Sequence, residues 1–210
     1  RDGSKAENCI NGARCFGKYV FDTGLLDKEE LLVGIEKNKW KISHPEKNVY
    51  AVEQEISDLN SGKDLLPKPN PSGLHTLVLE DDTLEVGYVN LGNPHAINFT
   101  KKINDMPLDN WGHCLQGSEW FPEGVNLTLA EMRSPREISI RVFERGVGET
   151  LACGSGACAT VVVGLQLGYL QQEVQVNFKK GSLYIKYDLK NQRLIAKGSA
   201  DFLEEINILV

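Results

Sequence analysis

The sequence of 210 residues has no run of 18 apolar residues, so no segment is long and apolar enough to cross a membrane as a helix. It also lacks an excess of basic residues, because 23 Lys and Arg stand against 29 Asp and Glu, for a formal net charge of −6. Nucleic acids and anionic membrane surfaces are bound through clustered basic residues. We therefore expect neither as a partner.

Cysteines are few as well. The five of them, at positions 9, 15, 114, 153 and 158, are too few and too irregularly placed for a secreted disulfide scaffold, so we expect a reducing, cytoplasmic setting. The local spacings are CX5C and CX4C with no histidine near either pair, and we expect no metal site. A disulfide between Cys9 and Cys153 can form if the two residues lie close together in space. Such a bond would inactivate the protein.

Motifs for organic cofactors are also missing. The sequence has no GxGxxG fingerprint and no pyridoxal-binding lysine motif, so we expect no cofactor. The hydrophobic content of 41% is nevertheless enough to build cores in one or two domains. The chain is therefore expected to fold without help from metals, disulfides or prosthetic groups.

The most informative stretch is LACGSGACAT, residues 151–160. Cys153 is followed by Gly154 and Ser155 and then by an apolar run that begins at Val161, which predicts a thiol at the start of a buried helix. Free backbone N–H groups at such a position bind anions, and they lower the pKa of a cysteine. Cys153 is therefore a candidate acid, base or nucleophile.

The chain repeats this arrangement. A single offset of 144 residues superposes Cys9 on Cys153, Gly12 on Gly156 and Gly24 on Gly168. Each copy predicts a helix, a glycine C-cap and a following strand. Two tandem domains of one fold are the simplest explanation.

The periodicity predicts an α+β fold of two pseudo-symmetric domains, each a mixed β-sheet or barrel wrapped around a central helix. Residues 1–56 form the first domain, with 202–210 returning to it, and residues 57–201 form the second. The proline-rich stretch 57–73 is the predicted linker. The predicted helices cover 9–22, a short segment within 111–120, and the region after Cys153. The predicted strands cover 31–35, 39–43, 49–54, 75–80, 83–90, 95–99, 126–132, 137–144, 174–178, 182–188 and 193–200.

The repeat also predicts that the first domain is incomplete. A strand-rich block that starts near His75 precedes Cys153, whereas only eight residues precede Cys9. We therefore expect roughly 70 residues of the first domain to lie outside this sequence. The first residue, Arg1, agrees with that expectation.

Two thiols at equivalent helix starts suggest a two-base reaction. A substrate carbon held between them could lose a proton to one thiol and gain a proton from the other on the opposite face. The N–H donors of both helix starts would bind the adjacent carboxylate and stabilise the developing charge, by about 3 to 4 kcal/mol for each well-placed donor. The pattern therefore favours racemisation or epimerisation.

ACGSGAC, preceded by FERGVGET, with LGNPH upstream and CINGARC near the start, resembles the diaminopimelate epimerase family. The resemblance implies cofactor-independent interconversion of L,L- and meso-diaminopimelate in lysine and peptidoglycan biosynthesis. It also implies a fold of two similar domains, in a protein that is usually a homodimer.

The resemblance also implies roles for individual residues. Cys9 and Cys153 would be the two acid/base thiols, and His95 would assist them, as would Glu144. The reacting carboxylate and the distal ammonium and carboxylate would be bound by eight residues, four for each end: Asn11, Gly12, Gly154 and Ser155, and then Asn93, Asn126, Glu144 and Arg145.

One position departs from the family pattern CGNGARC. This chain has Ile10 where glycine is expected, and a β-branched residue does not readily adopt a positive φ and would crowd the approaching substrate. Two alternatives stay open. One is a racemase of the proline or hydroxyproline type from the same superfamily. The other, indicated by Ile10 and by the expected loss of N-terminal residues, is a truncated inactive remnant that binds ligand without turnover.

Overall fold

The computed structural model describes residues 8–35, 38–56, 58–80 and 82–202. Within these ranges the chain forms three α-helices: α1 (Ile10–Asp22), α2 (Leu108–Leu115) and α3 (Gly154–Gln166). None of the helices in the described ranges is long and apolar enough to span a membrane.

The described residues also form twelve β-strands. They are β1 (Glu30–Ile35), β2 (Asn38–Glu46), β3 (Val49–Glu55), β4 (His75–Val78), β5 (Thr83–Asn90), β6 (Pro94–Phe99), β7 (Asn126–Ser134), β8 (Glu137–Glu144), β9 (Gly148–Thr150), β10 (Glu173–Asn177), β11 (Ser182–Asp188) and β12 (Arg193–Ser199). Eleven strands were predicted and are confirmed, with ends that move by three residues or fewer. The short strand β9 was not predicted, and α2 begins earlier than its predicted segment.

The strands form one continuous path in the order β1-β2-β3-β12-β11-β10-β8-β7-β6-β5-β4, with β9 added to β8. Most neighbours are antiparallel, but β10 pairs with β8 and β6 with β7 in parallel. The sheet curves around the helices: α1 packs on β2 and β3, and α3 packs on β5, β6, β7 and β11. The α+β class with mixed sheets around helices is therefore confirmed.

The internal repeat is present in the structure. The helices α1 and α3 have 13 residues each, and their bounds differ by the same offset of 144 residues that relates β3 to β12. These two strands pair antiparallel, and Val52 lies opposite Ala196, which is its own equivalent. A pseudo-twofold axis therefore passes between these two residues.

The two helices differ in burial because different numbers of strands surround them. Every residue of α3 from Gly154 to Gly164 is buried, as the apolar run predicted. In α1, by contrast, Phe16 and Tyr19 are about half exposed, while Ile10 and Val20 are buried. The helix α1 is therefore the more open of the pair.

The stretch that was predicted to be a linker packs against the second half of the chain. The Tyr88 hydroxyl donates a hydrogen bond to the Ser61 carbonyl at 2.6 Å, and the Asn90 N–H donates one to the Leu59 carbonyl at 2.9 Å. Leu66 in the same stretch is buried. The division at 56/57 stays a prediction, since the sheet runs through both halves without a break. Residues 203–210, which were predicted to return to the first domain, lie outside the described residues.

Candidate active site

The two predicted motifs meet. Both helix starts lie at one place, because a Cβ added to Gly154 at the start of α3 would lie 2.9 Å from Asn11 Oδ1 and 3.0 Å from Ile10 Cβ at the start of α1. Ordinary contacts between carbon atoms are about 3.5 to 4.0 Å long. Only glycine fits at position 154 without displacing the opposite helix, so the contact requires glycine at this position.

Cys9 is the N-cap residue of α1. Its sulfur accepts a hydrogen bond from the Gly12 N–H at 3.4 Å, and the thiol is exposed. The Gly12 Cβ position is itself only 3.1 Å from the sulfur, so the first turn of α1 closes tightly around this thiol. The predicted thiol at a helix start is therefore present in the first half of the chain.

Cys153 is the N-cap residue of α3, but its surroundings differ from those of Cys9. It is buried at 4% exposure, and its sulfur lies 3.5 Å from the Ser155 hydroxyl. Burial, and then the charge of Glu144, raise the pKa of the Cys153 thiol to about 12. The expectation that the helix start would lower this pKa is wrong, because desolvation outweighs the donors of the first turn. Burial therefore favours the neutral thiol of Cys153 over the thiolate.

Asn11 bridges the two halves. Its side-chain Nδ2 donates to the Ala152 carbonyl at 3.5 Å, and its Oδ1 accepts from Arg14 Nη2 at 2.9 Å. The bond to Ala152 is long and weak, whereas the bond to Arg14 has good length. A residue that was predicted to bind the carboxylate is thus held at the contact between the helix starts by an arginine of its own helix.

A second group of predicted residues lies where β6, β7 and β8 meet. His95 and Asn126 pair across the parallel strands β6 and β7. The Asn126 amide donates to the Pro94 carbonyl at 3.2 Å and accepts the Arg145 N–H at 2.9 Å. Asn93 Oδ1 lies 3.0 Å from His95 Nε2. The four polar residues, which are spread over more than 50 positions of the sequence, therefore form one hydrogen-bonded group.

His95 is fully buried, and its Nδ1 has no hydrogen-bond partner. Burial, and then the charge of Arg145, lower the pKa of His95 to about 3, so the ring is neutral at physiological pH. Neither thiol is among its hydrogen-bond partners in the described ranges. The role predicted for His95 as a helper of the thiols stays a prediction.

Glu144 connects this polar group to the helix starts. It accepts a hydrogen bond from the Thr150 hydroxyl at 2.5 Å, and its charge acts on the Cys153 thiol. The neighbouring Arg145 donates from Nη1 to the Glu123 carbonyl at 3.4 Å, and its side chain lies over Gly124, where a Cβ would be 3.0 Å away. All eleven predicted residues therefore belong to two adjoining groups, the helix starts and the polar strand ends.

A groove lies elsewhere on the described part of the chain. Its volume is 1410 Å³, and it is lined by residues of β10, β11 and β12, among them Tyr184 and Lys197. None of the predicted site residues lines this groove. The helix starts are packed against each other instead. The candidate site is therefore identified by the contacts between its residues and not by a groove.

The comparison with known proteins decides the family. A model of the family described as "Diaminopimelate epimerase" matches residues 87–203. The diaminopimelate epimerase of Nitrosospira multiformis is 35% identical over 209 residues, which cover 95% of this chain and 72% of the relative. The chain belongs to the diaminopimelate epimerase family. A second member, from Xanthomonas euvesicatoria, is 32% identical and covers 96% of this chain and 72% of its own length.

Solved structures agree on the fold. A phenazine biosynthesis protein of the PhzC/PhzF type from Clostridium difficile superposes with a TM-score of 0.64 at 12% identity, over 99% of this chain and 75% of that one. A hydroxyproline epimerase from Agrobacterium vitis, with bound trans-4-hydroxy-L-proline, has a TM-score of 0.64 at 9% identity and covers 95% and 67%. At such identities the likeness concerns the fold alone. As a member of the diaminopimelate epimerase family, the chain is an isomerase.

The expectation that Ile10 would conflict with the backbone conformation of the family motif is wrong. The residue begins α1, and it is absent from the residues of positive φ, which outside glycine are Asn48 and Gln192 in the described ranges. The expected backbone conflict therefore does not arise. Ile10 is 1% exposed and packs against Gly154, so its side chain fills the contact between the helix starts.

Two residues of the site were missed by the sequence analysis. Arg14 is buried beside Asn11, and Asn8 donates from Nδ2 to the Leu91 carbonyl at 2.7 Å, which fixes the residue before Cys9 to the second half. The only signal for Arg14 was a charge within the motif CINGARC at a position that the helical period places near Ile10. For Asn8 the sequence carries no signal that we can identify.

Proposed function

We propose that this chain interconverts L,L- and meso-diaminopimelate by moving a Cα proton between the thiols of Cys9 and Cys153, without a cofactor. The observation that carries the proposal is the contact between two equivalent helix starts, each with a cysteine at its N-cap. Membership of the diaminopimelate epimerase family supports the choice of reaction and substrate.

The helix starts supply the stabilisation that a carbanion needs. The first N–H groups of α1 and α3 have no carbonyl partners within their helices, and a carboxylate bound between them would accept hydrogen bonds from Gly12, Gly154 and Ser155. Negative charge that moves from Cα onto the carboxylate would meet the same donors. Asn11, which is held at this contact, would add a side-chain donor.

The thiols then act in sequence on opposite faces. One thiolate takes the Cα proton and becomes a thiol, while the other thiol gives its proton to the opposite face of the carbon and becomes a thiolate. The bond between Cα and the departing proton breaks first, and the electron pair left on Cα then forms the new bond to the proton on the other side. The two cysteines therefore exchange protonation states with each turnover.

The distal end of the substrate carries an ammonium and a carboxylate. Glu144 and Arg145 have the charges to bind them, and Asn93 and Asn126 lie beside these residues with amide groups. A proline or hydroxyproline ligand has no distal ammonium and carboxylate, so it would form no ion pair with either Glu144 or Arg145. Diaminopimelate is therefore the better match among the substrates of such epimerases.

We infer from the relatives' names that the reaction belongs to lysine and peptidoglycan biosynthesis. We infer from the low cysteine content that it takes place in the cytoplasm. We further propose a homodimer, since twofold dimers are the commonest closed assemblies of soluble proteins. The small-molecule substrate is the only other partner that the proposal requires.

The test is proton-to-deuterium exchange at the Cα of L,L-diaminopimelate in heavy water under reducing conditions. The parent chain is compared with Cys9→Ala and Cys153→Ala, and Cys114→Ala serves as the matched control because that cysteine is an exposed residue of α2 and is not one of the predicted site residues. We expect exchange in the parent and the control and none in the two site variants.

Other outcomes separate the alternatives. Exchange with trans-4-hydroxy-L-proline but not with diaminopimelate would favour a racemase of the hydroxyproline type. Saturable binding of diaminopimelate without any exchange would favour a binding remnant. Exchange that survives in either cysteine variant would refute the two-thiol mechanism.

A further inference from the structure

We propose that Thr150 is a positioning residue, whose hydroxyl holds the carboxylate of Glu144 in the orientation that the substrate requires. The inference rests on the proposed function, in which Glu144 belongs to the group that binds the distal end of the substrate. It adds to that function the residue that fixes this carboxylate before the substrate binds. It also gives a role to β9, the short strand that carries Thr150.

The strand β9 joins two parts of the candidate site. It pairs antiparallel with the end of β8, where Glu144 lies opposite Gly148. Thr150 is the last residue of β9, and Cys153 follows as the N-cap residue of α3. Thr150 is therefore connected to Cys153 through the backbone and to Glu144 through the hydrogen bond of 2.5 Å between its hydroxyl and Oε1.

The side chains of Glu144 and Thr150 lie on the same face of the β8–β9 hairpin. Val142 pairs with Thr150 and is two residues from Glu144, and side chains alternate between the faces of a strand, so all three share one face. That face is directed toward α3, because Val142 Cγ2 lies 3.3 Å from the position that a Cβ of Gly156 would occupy in the first turn of the helix. The hydrogen bond therefore lies on the side of the hairpin that faces the start of α3.

A second pair of side chains holds β9 from the opposite face. Arg141 and Glu149 form a bidentate ion pair, in which Nε donates to one carboxylate oxygen at 2.8 Å and Nη2 to the other at 2.7 Å. The remaining nitrogen, Nη1, donates to the carbonyls of Ile103 at 2.9 Å and Met106 at 3.3 Å. Bidentate pairs of arginine and carboxylate fix orientation as well as distance. The position of β9 therefore has support that does not depend on the hydroxyl of Thr150.

The hydroxyl of Thr150 restricts a flexible side chain. Glu144 is half-buried, and a glutamate side chain that is held in one conformation loses rotamer freedom. A hydrogen bond to a carboxylate is charge-assisted and stronger than one between neutral groups. Because the donor belongs to a strand that is itself fixed, the carboxylate is ordered before the substrate binds, and less of the binding energy is spent on ordering it.

The variants Thr150→Val and Thr150→Ser separate the hydroxyl from the shape of the side chain. Valine keeps the branched shape and loses the donor, whereas serine keeps the donor and loses a methyl group. Valine is enriched in strands, so a purely structural role would favour Thr150→Val. We expect the opposite order in kcat/KM for the interconversion of L,L- and meso-diaminopimelate, with a decrease of about tenfold in Thr150→Val and of about threefold or less in Thr150→Ser. The melting temperature of Thr150→Val should not be below that of Thr150→Ser.

Thr23→Val is the matched control. The Thr23 hydroxyl also donates a hydrogen bond, to the Tyr19 carbonyl at 2.6 Å, but this residue lies at the C-terminal end of α1, opposite to the end that carries Cys9. The control should keep the kcat/KM of the parent. A kcat/KM of Thr150→Val that equals the parent's, or that is no lower than that of Thr150→Ser, would overturn the proposal. If circular dichroism shows that Thr150→Val is unfolded, Thr150→Ala takes its place in the same comparison, because it loses the donor and adds no atom.

The hydrogen bond is also tested without substrate. Thr150→Val, Glu144→Ala and the double variant are unfolded in urea, and the loss of unfolding free energy in the double variant should be smaller than the sum of the two single losses, because the two side chains are in contact. Additive losses would overturn the proposal. Absence of turnover in the parent would instead refute the proposed function, and the urea experiment would still show whether the bond is formed, so the two failures are distinguishable.

Discussion

Gly154→Ala is the substitution that tests the contact between the helix starts most directly. The added Cβ would lie 2.9 Å from Asn11 Oδ1 and 3.0 Å from Ile10 Cβ. The Asn11 amide can rotate away, but Ile10 Cβ is bonded to the helix backbone and cannot. To reach ordinary contact distance, the starts of α1 and α3 have to separate by about 0.5 to 1 Å.

The size of the effect follows from that shift. Overpacking of this kind costs about 1 to 3 kcal/mol, and alanine regains up to about 1 kcal/mol over glycine as a helix residue. We expect a net loss of about 1 to 2 kcal/mol, which lowers the melting temperature by roughly 2 to 8 °C in a chain of this size. A misplacement of about 1 Å at a reacting centre can cost about 100-fold in rate, so we expect exchange to slow by about 10- to 100-fold.

The assay pairs deuterium exchange with thermal unfolding followed by circular dichroism. Gly34→Ala is the matched control, because a Cβ at position 34 meets no atom within 4 Å and the backbone there is not left-handed. The control should keep both the parent exchange rate and the parent melting temperature. If Gly154→Ala behaves like Gly34→Ala, the helix starts are not held in contact and the reasoning is refuted.

Three further substitutions test other parts of the structure. The pKa of His95 is lowered from 6.5 to about 3, so the folded chain favours the neutral ring. The stability that this preference contributes is complete above pH 6.5 and is lost as the pH falls toward 3. The loss is about 2 kcal/mol at pH 5. The free energy of unfolding of His95→Gln should therefore decrease less between pH 7 and pH 5 in urea titrations, and a decrease equal to the parent's would contradict the assignment. Ile10→Ala should lose about 2 to 4 kcal/mol in chemical denaturation because the side chain is 1% exposed, whereas a change below about 0.5 kcal/mol would show that it does not fill the contact. Gly112→Ala should lower the melting temperature through a cost of about 1 to 3 kcal/mol, since the new Cβ would lie within 2.7 Å of the Phe143 ring, and an unchanged melting curve would mean that α2 does not pack there.

Local patterns predicted most of the elements. The alternation in β8 and β11 predicted strands whose bounds the structure reproduces, because each has one buried and one more exposed face along most of its length. The three residues of β9 were missed since such a short run, with a glycine at its start, is indistinguishable from a turn by pattern alone.

The features that the sequence did not predict depend on which surfaces of the helices and strands pack against each other. Periodicity assigns Arg14 to the same side of α1 as Ile10, but it does not indicate that α3 and β12 cover that side. For the same reason the pKa of Cys153 was predicted in the wrong direction, since the sequence pattern did not indicate that this thiol is buried. The residues of the candidate site could be identified from motifs, whereas the pKa shifts of their side chains could be obtained only from the fold.

The pairing of Val52 with Ala196 has a consequence for the origin of the chain. A strand that lies antiparallel to its own equivalent makes the isologous contact by which two copies of one polypeptide form a twofold dimer. The seven paired positions between β3 and β12 would be available to a separate half as well as to this fused chain. The present arrangement is therefore that of a twofold dimer contained within one chain, and its two halves differ at equivalent positions, with Arg14 on one side of the axis and Cys158 on the other.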